Sequence, residues 1–254
     1  MNGPGGSRRL LGVVRALLPD LDAERAIAAG EVRVDGVPVT NARSLLREGA
    51  VVQHRPPATL RGEAKLAAGL ELFGIDPRGC TALDVGASTG GFTSQLLARG
   101  AARVYAVDAG HGQLLGRLRQ DPRVINLEST NLAALGPGVA PEPIDLLTVD
   151  VSYLSLSEAV AQLSARLLLA PGAILLGLVK PMFELRLGEA PRDQARLRQA
   201  IEIAVAGIHQ AGWEVRGTRP SPLTGARGAV EGWVQARWSA PAGPAGPPDP
   251  PRLP

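Results

Sequence analysis

From residue 66 onward the apolar positions fall into blocks whose period switches between the runs of a strand and the three-to-four spacing of a helix. TALDVG, RVYAVDAG, VINLE, DLLTVDVS and AILLGLVK read as strands. GGFTSQLLARG, GQLLGRLRQ, SLSEAVAQLSARLLL and RDQARLRQAIEIAVAGIHQAG, interleaved with them, read as helices. WEVRGTRP and VEGWVQARW close the series as two further strands. Strands alternating with helices at this spacing predict an α/β fold, a doubly wound parallel sheet. The longest apolar stretch, residues 167–179, is interrupted by Pro171-Gly172 and is too short to span a bilayer. It reads as a helix end turning into a buried strand.

The N-terminal segment follows a different rhythm. LLGVVRALL is helical by spacing, and DAERAIAAG is a second helix opened by Asp22 and stopped by Gly30. EVRVDGVPV alternates as a strand with a turn at Asp35-Gly36. Residues 7–53 therefore predict a small α+β module. Residues 54–64, with the Pro56-Pro57 pair, read as a linker to a second domain over residues 65–239. The Ala/Gly/Pro-rich residues 240–254 cannot form a core and are expected to be disordered.

A chain of 254 residues, 45% hydrophobic and 20% charged, supports one sizeable core plus a small module. It shows no signal-peptide core, and the single cysteine, Cys80, leaves no internal disulfide and no cysteine-based zinc site. Both features fit a reducing cytoplasm. The histidines, His54, His111 and His209, lack metal-ligand spacing, so no metal is expected. The net charge is only +3, but residues 1–65 hold ten Arg/Lys against seven Asp/Glu, a surplus equal to that of the whole chain. That makes the N-terminal segment the side expected to face a polyanion.

LDVGASTGGFT is a strand ending in an acidic residue, followed by a glycine-rich turn and a helix start. Gly86, Gly90 and Gly91 allow a tight turn and close backbone approach by a ligand at the carboxyl edge of the sheet. A dinucleotide fingerprint would place glycine at 86, 88 and 91, but position 88 is serine. The carboxylate of Asp84 just before the turn suits a cationic ligand, and Asp108, at the end of the second strand, suits ribose hydroxyls. These features favour S-adenosylmethionine over a nicotinamide cofactor.

Only two of the 27 basic residues are lysines, Lys65 and Lys180, in a composition where arginine has displaced lysine elsewhere. Arginine stays protonated, whereas a lysine amine can serve as a base. Asp150 ends DLLTVD and Lys180 ends AILLGLVK, so a parallel sheet projects both into one crevice with the glycine turn. Glu231 starts the last strand and Lys65 stands at the domain entrance. Two amines and two carboxylates around one cleft form a device that can accept a proton. Methyl transfer to a hydroxyl needs little more than that base and in-line alignment.

At these residues the chain resembles the TlyA (haemolysin A) family of ribosomal RNA ribose 2′-O-methyltransferases, from about residue 9 to 238, through LDVGASTGGFT, VYAVDAGHGQL, DVSYLSL, LVKPMFE and SPLTGARGAVE. The resemblance implies a Rossmann-like, FtsJ-like methyltransferase domain behind a ribosomal-protein-like RNA-binding module. It also implies S-adenosylmethionine as cofactor. The partner it implies is RNA, either ribosomal RNA or ribosomal subunits; from the sequence itself no membrane and no metal are expected, and a monomer is expected. The family's Lys-Asp-Lys-Glu tetrad falls on Lys65, Asp150, Lys180 and Glu231, with Lys180 as the base. Gly86, Gly90, Gly91 and Phe92 match its binding loop, Asp108 its ribose-binding acid, and Asn131 a position near the adenine.

Departures are visible. The family's Ser-Arg-Gly-Gly-x-Lys entrance is Leu60-Arg61-Gly62-Glu63-Ala64-Lys65, the glutamine of Lys-Pro-Gln-Phe-Glu is Met182, and the asparagine after Gly228 is Ala229. The loop near 189–193 and the N-terminal module are both shortened. Met182 and Ala229 motivate a second reading, an RNA-binding or ribosome-associated protein of the same fold with weak or lost catalysis. Retention of all four tetrad residues argues against it.

Overall fold

The computed structural model describes residues 8–28, 31–39, 41–55 and 60–239. The helix stop expected at Gly30, the Pro56-Pro57 pair and the tail at 240–254 lie outside the described residues. The chain divides into two units, residues 1–59 and 60–254.

The first unit carries β1 (Arg8–Arg9), α1 (Leu10–Leu17), α2 (Ala23–Ala28), β2 (Val32–Val34), β3 (Val37–Pro38), β4 (Leu45–Leu46) and β5 (Val52–His54). β1 pairs antiparallel with β4, and β3-β2-β5 form a three-stranded antiparallel sheet. Its small core joins Leu10 and Val14 of α1 to Ala23, Ala26 and Ile27 of α2 and to Val32 of β2. Asp22 accepts from the Arg25 N–H and opens α2. Asp35 and Gly36 both take positive φ, 51° and 82°, the twist that a two-residue hairpin turn between β2 and β3 requires. His54, expected in the linker, ends β5 instead, with its Nε2 3.2 Å from the Glu31 carboxylate.

The second unit opens with α3 (Arg61–Phe73), which begins within the segment expected to be a linker. It continues through β6 (Thr81–Val85), α4 (Gly91–Ala98), β7 (Arg103–Val107), α5 (Gly116–Arg119), β8 (Val124–Leu127), β9 (Ile144–Val149) and α6 (Leu156–Ser164). β10 (Leu169–Val179), α7 (Pro181–Glu184), α8 (Gln194–Gln210), β11 (Trp213–Pro220) and β12 (Gly232–Trp238) complete it. The strands form one seven-stranded sheet in the order β11-β12-β10-β9-β6-β7-β8. From β10 to β8 neighbours run parallel, whereas β12 runs antiparallel to both β10 and β11.

The buried side chains alternate along the central strands, as a sheet covered on both faces demands. Leu83 and Val85 join α6 and α8 in one core, while Ala82 joins α3, α4 and Trp233 in the other. β10 starts earlier than the pattern predicted. It runs through Pro171 and Gly172 with a register irregularity before Ile174, so no helix extends into residues 167–172. The bulge is what lets a proline sit in a strand.

Candidate active site

The position of Lys65 follows from helix packing. Gly69 lies one turn further along α3, and a methyl group there would stand 3.0 Å from the Trp233 ring, so the helix rests directly on β12. One turn back on α3 and two residues back along the chain from Trp233 are similar distances, about 6 Å each. The same packing therefore sets Lys65 beside Glu231, with Nζ 2.9 Å from Oε2. Glu231 reaches the carboxyl edge of the sheet because β12 is antiparallel: Gly232 pairs with Val179, the residue before Lys180.

Asp150 follows β9 directly, and its N–H donates to the Val85 carbonyl. Its carboxylate stands between the two lysines, with Oδ1 2.6 Å from Lys180 Nζ and Oδ2 3.6 Å from Lys65 Nζ. All four tetrad side chains are at most 18% exposed. Asp150 Oδ1 and Glu231 Oε2 are buried in ion pairs without an aligned hydrogen bond. The four groups border a cavity of about 560 Å³, whose other walls include Gly86, Ser88, Ser152, Met182, Phe183, Ala229 and Val230. Two of the departures noted above, Met182 and Ala229, thus sit on the cavity wall.

The glycine turn is shaped first by the protein's own packing. Gly86 has φ +87°, and a side chain there would stand 2.5 Å from the Asp150 carbonyl oxygen. At Gly90, φ +95°, a side chain would drive into Leu118 and Leu114. Gly91 meets Gly62 of α3 backbone to backbone, with an added methyl 2.7 Å from the Gly62 Cα. Phe92, expected beside the cofactor, is 4% exposed and stacks on Trp233 with centroids 6.0 Å apart.

Asp84, expected to meet a cationic ligand, instead faces the α4 layer and is fully buried. Alternation along β6 dictates this, because Leu83 and Val85 point to the opposite core. Thr93 Oγ1 donates to Asp84 Oδ2 at 2.6 Å, and Thr148 Oγ1 donates to Oδ1 at 3.3 Å. Burial pushes its carboxyl up to about 7, against the pull of these hydroxyls.

Asp108 lies just past β7 and organises the turn. It accepts from the Ser88 N–H at 2.8 Å and from the Gly110 N–H at 2.7 Å. The loop after it is pinned by Glu128, which takes the N–H groups of Gln113 and Leu114. The Leu114 N–H, helped by Asn126, holds the Glu128 carboxyl down to about 2. Asn131 is exposed, and its side chain accepts from the Ala133 N–H to cap a short turn of helix.

Several neighbours of the site lie inside the quoted motifs, but the sequence assigns them no role. Arg61 donates to the carbonyls of Thr224 and Gly225 at 2.9 and 3.0 Å, tying α3 to the loop that precedes Glu231. Glu63 reaches back to the Leu60 N–H at 3.2 Å, half of a capping box where a serine cap is missing. Glu184 of α7 accepts from the Leu156 and Ser157 N–H groups and the Ser157 hydroxyl, joining the segment after Lys180 to the start of α6. The Ser152 hydroxyl accepts from Lys180 Nζ at 2.7 Å. Apart from Glu63 and Leu60, these partners sit far apart in sequence, and only the fold pairs them.

The chain is similar to known proteins over most of its length. The family model described as FtsJ-like methyltransferase matches residues 59–238. The 16S/23S rRNA (cytidine-2′-O)-methyltransferase TlyA of Mycobacterium tuberculosis is 38% identical over 219 residues, covering 82% of this chain and 81% of that protein. Hemolysin A of Brachyspira hyodysenteriae is 34% identical over 218 residues, covering 82% of this chain and 90% of its own length. A solved structure from Streptococcus thermophilus, described as a candidate hemolysin, superposes with a TM-score of 0.67 at 28% identity, over 92% of this chain and 89% of that one. The chain belongs to the TlyA family of FtsJ-like methyltransferases.

Proposed function

We propose that the protein transfers a methyl group from S-adenosylmethionine to a ribose 2′-hydroxyl of ribosomal RNA, with Lys180 as the general base. The observation that carries this reading is the single cavity holding Lys180, Asp150, Lys65 and Glu231 next to the glycine turn. The matching of the chain to a protein named as an rRNA (cytidine-2′-O)-methyltransferase supports the substrate class.

The residues present fit the cofactor. Gly86 and Ser88 line the cavity that also holds Lys180, and its volume of about 560 Å³ is in the range of small-molecule sites. Asp108 uses one lone pair on each carboxylate oxygen for the turn, which leaves one on each for ribose hydroxyls. Asp84 takes no part in this set and acts from beneath, by holding Thr93 at the start of α4. S-adenosylmethionine supplies an electrophilic methyl group. The chain's own work is to hold the 2′-hydroxyl in line with it and to take up the proton.

Asp150 orients the Lys180 amine, and Lys65, bridging Asp150 and Glu231, keeps that carboxylate in place. Lys180 in its neutral form accepts the proton of the 2′-hydroxyl while the oxygen takes the methyl group. Arginine at this position keeps the charge but cannot be neutral near pH 7.

The test is methyl transfer from labelled S-adenosylmethionine to unmodified ribosomal subunits and to naked ribosomal RNA, comparing wild type with Lys180→Arg. Label in RNA with the wild type, reduced at least a hundredfold in Lys180→Arg with cofactor affinity retained, is the expected result. Equal transfer by both would overturn the role of Lys180, and no transfer by the wild type would overturn the ribosomal substrate.

A further inference from the structure

The tetrad accounts for one contact of Lys180, the ion pair to Asp150 Oδ1 at 2.6 Å. A second stands outside it: Nζ also donates to Ser152 Oγ at 2.7 Å. Ser152 lies two residues after Asp150, on the segment between β9 and α6, and borders the same cavity. Ser152 is exposed, and Lys180 is the hydrogen-bond partner of its hydroxyl among the described residues.

A neutral lysine amine has one bond to carbon, two N–H bonds and one lone pair. One aligned N–H···O bond stops rotation about Cε–Nζ and leaves two positions, one for the second N–H and one for the lone pair. Ser152 supplies that aligned bond. The Asp150 carboxylate, 2.6 Å away in an ion pair without an aligned hydrogen bond, draws the second N–H to its side and leaves the other position for the lone pair. We infer that Ser152 is a positioning residue, whose hydroxyl fixes the direction in which Lys180 accepts the ribose proton. This rests on Lys180 being the base, as proposed above. Once the proton is taken, it becomes the third N–H of the ammonium, and both existing contacts persist.

Two measurements on the full chain keep this inference separable from the reading it rests on. The first is single-turnover methyl transfer by wild type, Ser152→Ala and Ser152→Thr. Loss of one orienting hydrogen bond is expected to lower the rate of Ser152→Ala about tenfold or more, with dissociation constants for cofactor and RNA unchanged. Ser152→Thr keeps the hydroxyl and, at an exposed position, has room for the methyl group, so it is expected to restore the rate.

The second measurement does not depend on turnover. Because the chain contains only two lysines, trace acetylation read by mass spectrometry follows each amine separately. Removing the Ser152 acceptor is expected to speed labelling of Lys180 severalfold, with Lys65 as the internal reference and Ser152→Thr matching wild type. If Ser152→Ala leaves Lys180 labelling unchanged, or if Ser152→Thr is as impaired as Ser152→Ala, the inference is overturned. Failure of the wild type to methylate ribosomal RNA, with labelling altered as expected, would overturn the substrate reading and leave the contact itself established.

Discussion

At the scale of single residues, the two carboxylates nearest the glycine turn have opposite tasks. Asp108 is an ordering group, its oxygens accepting backbone N–H groups at the mouth of the turn. Asp84 is sealed in the core, and burial raises its carboxyl to about 7. The sign of the consequence follows from linkage. Between about pH 4 and pH 7 the folded state keeps a proton that the unfolded state releases, so this residue makes stability fall as pH rises through that window. Asp84→Asn should abolish that fall, an effect on the order of a few kcal/mol across the window. Chemical denaturation of both proteins at pH 4.5 and pH 7.5 reads it, and an equal pH dependence in the two would contradict this placement of Asp84. Spacing alone offered no way to tell the two acids apart, because both stand at strand ends. The lysines were legible for a different reason: in a chain with two lysines among 27 basic residues, their survival beside the motifs was itself the signal.

At the scale of elements, the site depends on how closely α3 approaches the turn before α4. Gly62 and Gly91 touch through their backbones, and Lys65 sits less than one turn beyond that contact. Gly91→Ala would place a methyl group 2.7 Å from the Gly62 Cα and 3.0 Å from the Glu63 nitrogen. Such overpacking between backbones is expected to cost about 1–3 kcal/mol and to move Lys65 away from Glu231. Thermal unfolding should show the loss, and Gly91→Ala with wild-type stability and full activity would contradict the contact. The cap on α6 is a second joint. Glu184 answers two backbone N–H groups and a hydroxyl at the helix start, and burial raises its carboxyl above the usual range. Glu184→Ala leaves those donors without a partner, which is expected to cost about 1–2 kcal/mol. Glu184→Gln, keeping one acceptor, should fall between. Sequence pattern marked Gly86, Gly90 and Gly91 for a tight turn and ligand approach, and could not show that Gly62 of α3 also comes close to Gly91.

At the scale of the whole molecule, alternation of strand and helix conveyed the α/β class, and the order of motifs conveyed the catalytic unit. What the periodicity did not convey was direction. An apolar run looks the same read along a parallel or an antiparallel strand, yet the reversal of β12 is what brings Glu231 to the edge occupied by Lys180 and Asp150. Likewise Pro171-Gly172 looked like an element boundary, and a bulge within β10 absorbs it. The four tetrad residues come from the first turns of α3, the ends of β9 and β10 and the start of β12, so the site exists only when α3 and these three neighbouring strands are assembled. Among the described residues no helix is long and apolar enough to cross a membrane, and no group of three or more His, Cys, Asp or Glu residues is placed to hold a metal ion.

The proposed chemistry places the methyl group on a ribose oxygen rather than on a base. Alkali cleaves RNA by attack of the 2′-oxygen on the neighbouring phosphate, and methylation of that oxygen blocks the cut. Ribosomal RNA labelled by the wild-type protein should therefore be hydrolysed in alkali and its products separated by size. Label emerging in an alkali-resistant dinucleotide, and absent when Lys180→Arg is used, is the result predicted here. Label emerging in mononucleotides would place the methyl group on a base and contradict the account.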